Sequence, residues 1–248
     1  KYVLYRWFFG EECDCKNVTT IRLMAENLGQ LHSSLQNFYE EPVLLQQPLL
    51  SRYDKHNREM KHVYGYMRGK KKKTEFERYA MQCFPNFYER AMQVRSQLSE
   101  NLYYKEHSGQ TKDVCHGEYN YHNLLLTKSG LATTNFEHAA PGVQLLDMAY
   151  FMRKVMEKNK WQVEKGVVLW NGYCEGAGCS KKELEFLITI LSYPIKYWKL
   201  LNQYINSKKT WISNKSMEKL KAVCEQEESK DKFLQQMRTF TLGTSQKA

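Results

Sequence analysis

No stretch of this chain reaches the roughly 18 consecutive apolar residues that a membrane-spanning helix needs. Residues Tyr2 to Phe9 are too few, too aromatic and too interrupted by Arg6 to be a secretory leader. The seven cysteines, Cys13, Cys15, Cys83, Cys115, Cys174, Cys179 and Cys224, form no C-x-x-C pair. Their odd count and irregular spacing argue against a disulfide framework and predict reduced thiols in an intracellular protein. Cys13-Asp14-Cys15 lacks the second pair that a metal site of this kind would need. A G-x-S-x-G elbow, a G-x-G-x-x-G phosphate loop and a Val-Ala-x-Lys strand are all missing. There is no initiator Met. The chain begins inside what reads as a strand, so preceding sequence is expected to be missing.

The 248 residues suffice for one or two domains with a large core. Hydrophobic content of 42% with 26% charged residues is ordinary for a globular chain, and 13% aromatics argue against long disorder. The net charge of +10 favours acidic partners. Much of the excess is scattered along helices and its densest run, Lys70 to Lys73, falls in a loop, so it reads as a solubility feature. No zinc-finger, basic-zipper or RNP pattern supports a nucleic-acid partner.

Tyr2 to Phe9 reads as one strand, followed by a polar connector from Gly10 to Asn17. Ile21, Met24, Ala25, Leu28, Leu31 and Leu35 recur at helical spacing, which predicts a helix from about Thr19. Pro42 to Pro48 reads as an extended loop. A second helix is expected over Asp54 to Met67, with His56 and His62 on its surface. The four lysines then form a solvated connector. A long helix over Glu75 to Tyr104 should break or bend before Pro85. Val114 to His116 is a short strand. Leu124 to Thr127 and Leu131 to Asn135 form a hairpin around Lys128-Ser129-Gly130. Further helices cover Gln144 to Lys158, Trp161 to Cys174, Lys181 to Ser207 with a break near Pro194, and Ser216 to Gln236, before a frayed end at Thr241 to Ala248. Gly176-Ala177-Gly178 reads as a turn. Little alternates in the βαβ manner, so the fold class is α+β and mostly helical, with a small β-lined site floor.

That floor carries His116-Gly117-Glu118, then four residues, then Asn123, with Asn135-Phe136-Glu137 beyond. Leu146-Asp147-Met148-Ala149 follows at the start of a helix. The pattern resembles the catalytic loop of the aminoglycoside and choline phosphotransferase superfamily, small-molecule relatives of protein kinases. The helix containing Ala25 to His32 resembles the first long helix of their second lobe. More narrowly, Gly10 to Asp14 and Asn123 to Thr127 look like spore coat proteins of the CotS type. The resemblance covers the chain to about Lys158.

It implies a kinase-like C-terminal lobe over 18–248, with 1–17 as the last strand of the N-terminal lobe and the hinge, and most of that lobe outside this chain. It also implies roles. Glu118 stands at the catalytic base position, where the family has Asp; a misplacement near 1 Å can cost about 10²-fold. Asn123 matches a metal-binding amide. Asn135 replaces a metal-binding carboxylate, and an amide lacks the charge that Mg²⁺ and triphosphate require. Glu137 is two residues on and, if the strand continues, faces the same side as a substitute. His116 and Asp147 match structural positions. A His116/Glu118/His122 zinc site of deaminase type would need a Pro-Cys-x-x-Cys that is missing. The expectation is a degenerate kinase fold made in the cytoplasm and assembled with other spore coat components, with no cofactor and no metal. The alternative is an active small-molecule kinase using Mg-ATP. Tyr193, Tyr197, Trp198 and Tyr204 read as core, with a partner-binding face as the rival reading.

Overall fold

A computed structural model describes residues 7, 9–45, 48–207 and 214–239. The expected strand at Tyr2 to Phe9 lies outside these residues except for Trp7 and Phe9, which are both exposed. The expected frayed end at Thr241 to Ala248 lies outside them too.

Helix α1 (Val18–Ser34) starts where Asn17 accepts the Thr20 backbone N–H at 3.0 Å, an ordinary N-cap. Its apolar stripe, Ile21, Met24, Ala25 and Leu28, is wholly buried. The stripe packs along α6 (Val163–Ala177), and glycines bring the two backbones together. A Cβ on Gly29 would lie 2.3 Å from the Tyr173 carbonyl, and one on Gly176 would lie 2.6 Å from both Gln30 N and the Glu26 carbonyl. Gly176 is therefore a helical packing residue, and the expected turn begins only at Gly178, whose φ is +70°.

Helices α2 (Leu49–Gly69) and α3 (Glu75–Glu100) pack side by side. Thr74 and Glu77 form a capping box at the start of α3. Lys70 is not a solvated connector residue. Its ammonium lies 2.5 Å from Glu77, a carboxylate with no exposed surface that also accepts from the Tyr204 hydroxyl. Burial pushes the Glu77 carboxyl up, but Lys70, Tyr204 and the Thr74 amide outweigh it and hold it below its usual range. The expected break before Pro85 does not occur, and α3 runs through it. The proline removes one backbone hydrogen bond. Phe84 stacks on Tyr64 and Phe87 on Tyr197 to either side of it, so ring packing holds the helix together. His56 is likewise not a free surface residue. It stacks on Trp198 at 3.6 Å, and burial lowers its pKa to about 4.

Helix α4 (Leu102–His107) leads into the β structure. Strand β1 (Glu11–Glu12) pairs antiparallel with β5 (Leu124–Thr127), which pairs with β6 (Gly130–Thr133). Thr127 faces Gly130, so the hairpin turn is Lys128-Ser129. Two short pairs complete the floor: β2 (Val43–Leu44) with β3 (Gln110–Thr111), and β4 (Val114–Cys115) with β7 (Ala140–Pro141). The segment expected as a loop at Pro42 to Pro48 thus supplies an edge strand.

The remaining helices are α5 (Leu145–Lys158), α7 (Lys181–Ser192), α8 (Ile195–Asn206), α9 (Asn214–Glu225) and α10 (Glu227–Thr239). The break at Pro194 falls where expected. A second break near Gln226, unexpected from the sequence, separates α9 from α10. The chain is mostly helical, and among the described residues no helix is long and apolar enough to cross a membrane. Tyr193 and Tyr197 are buried core, their hydroxyls held by Asn57 and the Ala80 carbonyl.

The expectation of uniformly reduced thiols fails at one pair. Cys174 and Cys179 form a disulfide, because the chain reverses at Gly178 and carries Cys179 back over the last turn of α6. Cys13 and Cys15 are buried in the core.

The α1–α6 seam generates a paired prediction. Gly29→Ala forces a methyl into a backbone carbonyl and should destabilise by about 1–3 kcal/mol, the usual overpacking range. Gly65→Ala lies inside α2 with nothing within 4 Å and should stabilise by about 0.5–1 kcal/mol. Urea denaturation of the two variants checks both signs.

Candidate functional site

The polar motif begins where β4 ends, and one carboxylate shapes it. Asp147, in the first turn of α5, is 4% exposed. It accepts the His116 backbone N–H at 2.7 Å and that of Gly117 at 3.1 Å. Its Oδ2 also lies 3.4 Å from Nε2 of buried His32 in α1, whose Nδ1 is 2.9 Å from the Tyr173 hydroxyl in α6. Two N–H groups facing one carboxylate make charge-assisted bonds, the stronger kind. Asp147 thereby ties the loop to α5 and, through His32, to the α1–α6 seam.

Gly117 has a φ of +80°, and a Cβ there would sit 2.2 Å from the His138 carbonyl. Only glycine fits on both counts. His116 has no exposed surface. Its Nε2 lies 2.9 Å from the Thr134 carbonyl and its Nδ1 accepts the Glu118 backbone N–H at 3.2 Å, so the ring proton is on Nε2. Both ring nitrogens are occupied.

Glu118 turns outward, with its side chain 53% exposed and Oε2 3.5 Å from His138 Nε2. Its backbone carbonyl is held by the side-chain amides of Asn120 and Asn123, each at 2.9 Å. That bond fixes which end of Asn123 is nitrogen, so Oδ1 faces Asn135. Asn135 Nδ2 donates to Asn123 Oδ1 at 2.8 Å. The backbone supports the same pairing. Thr134 donates to the Asn123 carbonyl from both its N–H and its hydroxyl, and Asn135 takes the left-handed conformation at φ 63°. Asn adopts that conformation more readily than most residues.

The structure therefore brings His116, Glu118, Asn123, Asn135 and Asp147 into one connected unit. Glu137 stands apart from it. Strand β6 ends at Thr133, the chain turns left-handed at Asn135, and Glu137 falls in a 3₁₀ turn over Phe136–His138. The alternation that would have aimed it toward Asn135 stops before reaching it. Among the described residues no hydrogen bond joins Glu137 to Asn123 or Asn135. His138, which the sequence reading passed over, is the neighbour of Glu118 instead. Asn27 was also missed as a site residue. Its Oδ1 accepts from the Tyr119 hydroxyl at 3.0 Å and the Thr133 hydroxyl at 2.7 Å, which fastens the loop to α1. The helical phrase around Ala25 to His32 was the available signal for Asn27 and His32.

Mg²⁺ takes oxygen ligands and is usually anchored by one or two carboxylates. Here Asn135 presents nitrogen, the side-chain oxygen of Asn123 accepts from it, and Glu118 faces a histidine. Among the described residues no group of three or more His, Cys, Asp or Glu side chains could hold a metal ion. The two amides offer a dication oxygen atoms without the negative charge that usually anchors Mg²⁺.

Comparisons with known proteins bear on this geometry. The family described as "Spore coat putative kinase YutH" matches residues 13–237. An aminoglycoside phosphotransferase from Alicyclobacillus acidocaldarius is similar in structure, with a TM-score of 0.81 at 18% identity over 94% of this chain and 69% of that one. An ethanolamine kinase from Plasmodium vivax gives a TM-score of 0.50 at 16% identity over 90% of this chain and 66% of that one. At such identities the likeness is one of fold. No curated protein matches the sequence. The resemblance read from the His116 to Ala149 motifs, to a spore coat family with a kinase-like fold, holds; the matching family is described as YutH, where the finer sequence reading was CotS.

Asp147→Asn puts an N–H₂ group against backbone donors in place of one oxygen. It should cost about 2–3 kcal/mol, the range for losing a hydrogen bond to a charged group. Hydrogen exchange at the His116 and Gly117 amides should accelerate selectively, and a change spread evenly over the chain would argue against the local role.

Proposed function

The chain belongs to this spore coat family with a kinase-like fold, and we propose that it serves in the coat as a protein-binding component that has lost phosphotransfer. The observation that carries this reading is the bond from Asn135 Nδ2 to Asn123 Oδ1. That bond takes one lone pair of the Asn123 oxygen, and neither amide brings the negative charge that usually anchors a dication beside a triphosphate. Phosphoryl transfer depends on metal and cationic groups to neutralise the phosphates. We assign 1–17 to the hinge and 18–248 to the C-terminal lobe on the same resemblance. Partners would be other coat proteins, and the site of action the coat.

One observation favours the rival reading of an active small-molecule kinase. Glu118 is exposed and its backbone is held by Asn123, as a base approaching an acceptor hydroxyl would need. Mg-ATP would then be the cofactor.

Asn135→Asp separates the two readings. Asp tolerates the same left-handed backbone, and a carboxylate would repel the Asn123 oxygen and restore the missing charge. Titration calorimetry with Mg-ATP should show no saturable binding at millimolar nucleotide for the natural chain. The variant should gain at least about tenfold in affinity, the equivalent of 1.4 kcal/mol. Micromolar binding by the natural chain, with phosphate transferred to a small alcohol, would overturn the proposal.

A further inference from the structure

A cavity of about 430 Å³ lies beside the Tyr121–Asn123 turn, walled by α5, α8, α9 and α10. Seven basic side chains line it against two carboxylates, Glu157 and Glu227. Both acids are already committed. Glu157 takes Arg153 at 2.5 Å and Lys196 at 3.1 Å. Glu227 takes Arg90 at 2.5 Å and Lys230 at 3.9 Å. Lys154, Lys199 and Lys219 make no ion pair or hydrogen bond among the described residues.

Two buried groups point the same way. Arg153 is 8% exposed, and its Nε has no hydrogen-bond partner. Lys230 is 6% exposed, with its ammonium 5.6 Å over the Trp161 ring. A buried cation without full compensation is costly. In this Arg153 and Lys230 differ from lysines in open solvent such as Lys71 and Lys72, while Lys154 is half-buried and Lys199 and Lys219 are exposed where they line the cavity. Burial lowers the pKa of Lys154 and of Lys230; Arg153 adds to this at Lys154, and at Lys230 Glu227 opposes it while Arg90 adds to it. Each would hold its proton more firmly beside an anion.

The volume suits a metabolite-sized molecule, since small-molecule pockets run from about 300 to 1,000 Å³. Trp161 and Tyr121 supply apolar wall between the charges. We propose that this cavity binds a small multivalent anion bearing phosphate or carboxylate groups. Its wall shares the Tyr121–Asn123 turn with the site, and Lys154 feels the charge of Glu118, so an occupant would sit next to the loop. The proposal does not depend on whether the loop transfers phosphate.

The test is calorimetric titration of the full chain, free of magnesium and at fixed ionic strength, with inorganic pyrophosphate in one arm and citrate in the other. A saturable single site for either probe is expected. Pyrophosphate alone would identify a phosphate ligand, and citrate alone a polycarboxylate. The double variant Lys154→Gln/Lys199→Gln should weaken binding at least about tenfold, because it removes two of the three cations lining the cavity that make no ion pair or hydrogen bond among the described residues. The control Lys71→Gln/Lys72→Gln should leave affinity within about twofold, as screened exposed charges do. Thermal melting of both variants verifies folding. No saturable heat with either probe at millimolar concentration would overturn the proposal. So would binding that the cavity variant leaves intact, or that the control weakens equally.

Discussion

The buried carboxylate of Asp147 is the constraint on which the rest of the site depends. It accepts two consecutive backbone N–H groups from the loop and contacts His32 across the interior. An ionised group this deep is tolerated only with such partners. Its position is set in turn by α5, and that of His32 by the seam of α1 against α6. Glycines at 29, 172 and 176 let those two helices approach until side chains would collide with backbone. The loop is thus suspended from the helical core and does not rely on its own short strands, each of two to four residues.

This suspension holds the shape of the loop through groups outside it. The groups that hold the backbone are Asp147, His116, Asn120 and Asn27. None of them needs a metal or a nucleotide to be satisfied. The two amides at positions 123 and 135 satisfy each other. In a site that bound a dication, the same positions would repel one another without it. Here the resting loop has its polar groups paired without a metal or a nucleotide.

Parts of this were legible in the sequence because they are local. The apolar spacing from Ile21 to Leu28, the hairpin turn at Lys128-Ser129 and the break at Pro194 all follow from neighbours a few residues apart. The order of His116, Glu118, Asn123, Asn135 and Asp147 was also plain. Contacts between distant parts of the chain were not. Lys70 looked solvated because Glu77 and Tyr204 meet only after α2, α3 and α8 have packed. His56 looked superficial until Trp198 arrived to stack on it. Pro85 looked like a break, but aromatic stacking on both sides outweighs one lost hydrogen bond. Glu137 was read by strand alternation, which fails once Asn135 turns left-handed. Cys174 and Cys179 pair through a reversal at Gly178 that their spacing did not announce.

The most direct test of the central claim looks at the amide pair itself. Manganese is a paramagnetic stand-in for magnesium, and it broadens nearby nuclear resonances. In an isotope-labelled sample containing ATP, manganese should leave the side-chain N–H₂ signals of Asn123 and Asn135 sharp. Selective loss of those two signals at micromolar manganese would place the ion against the amides and contradict the account.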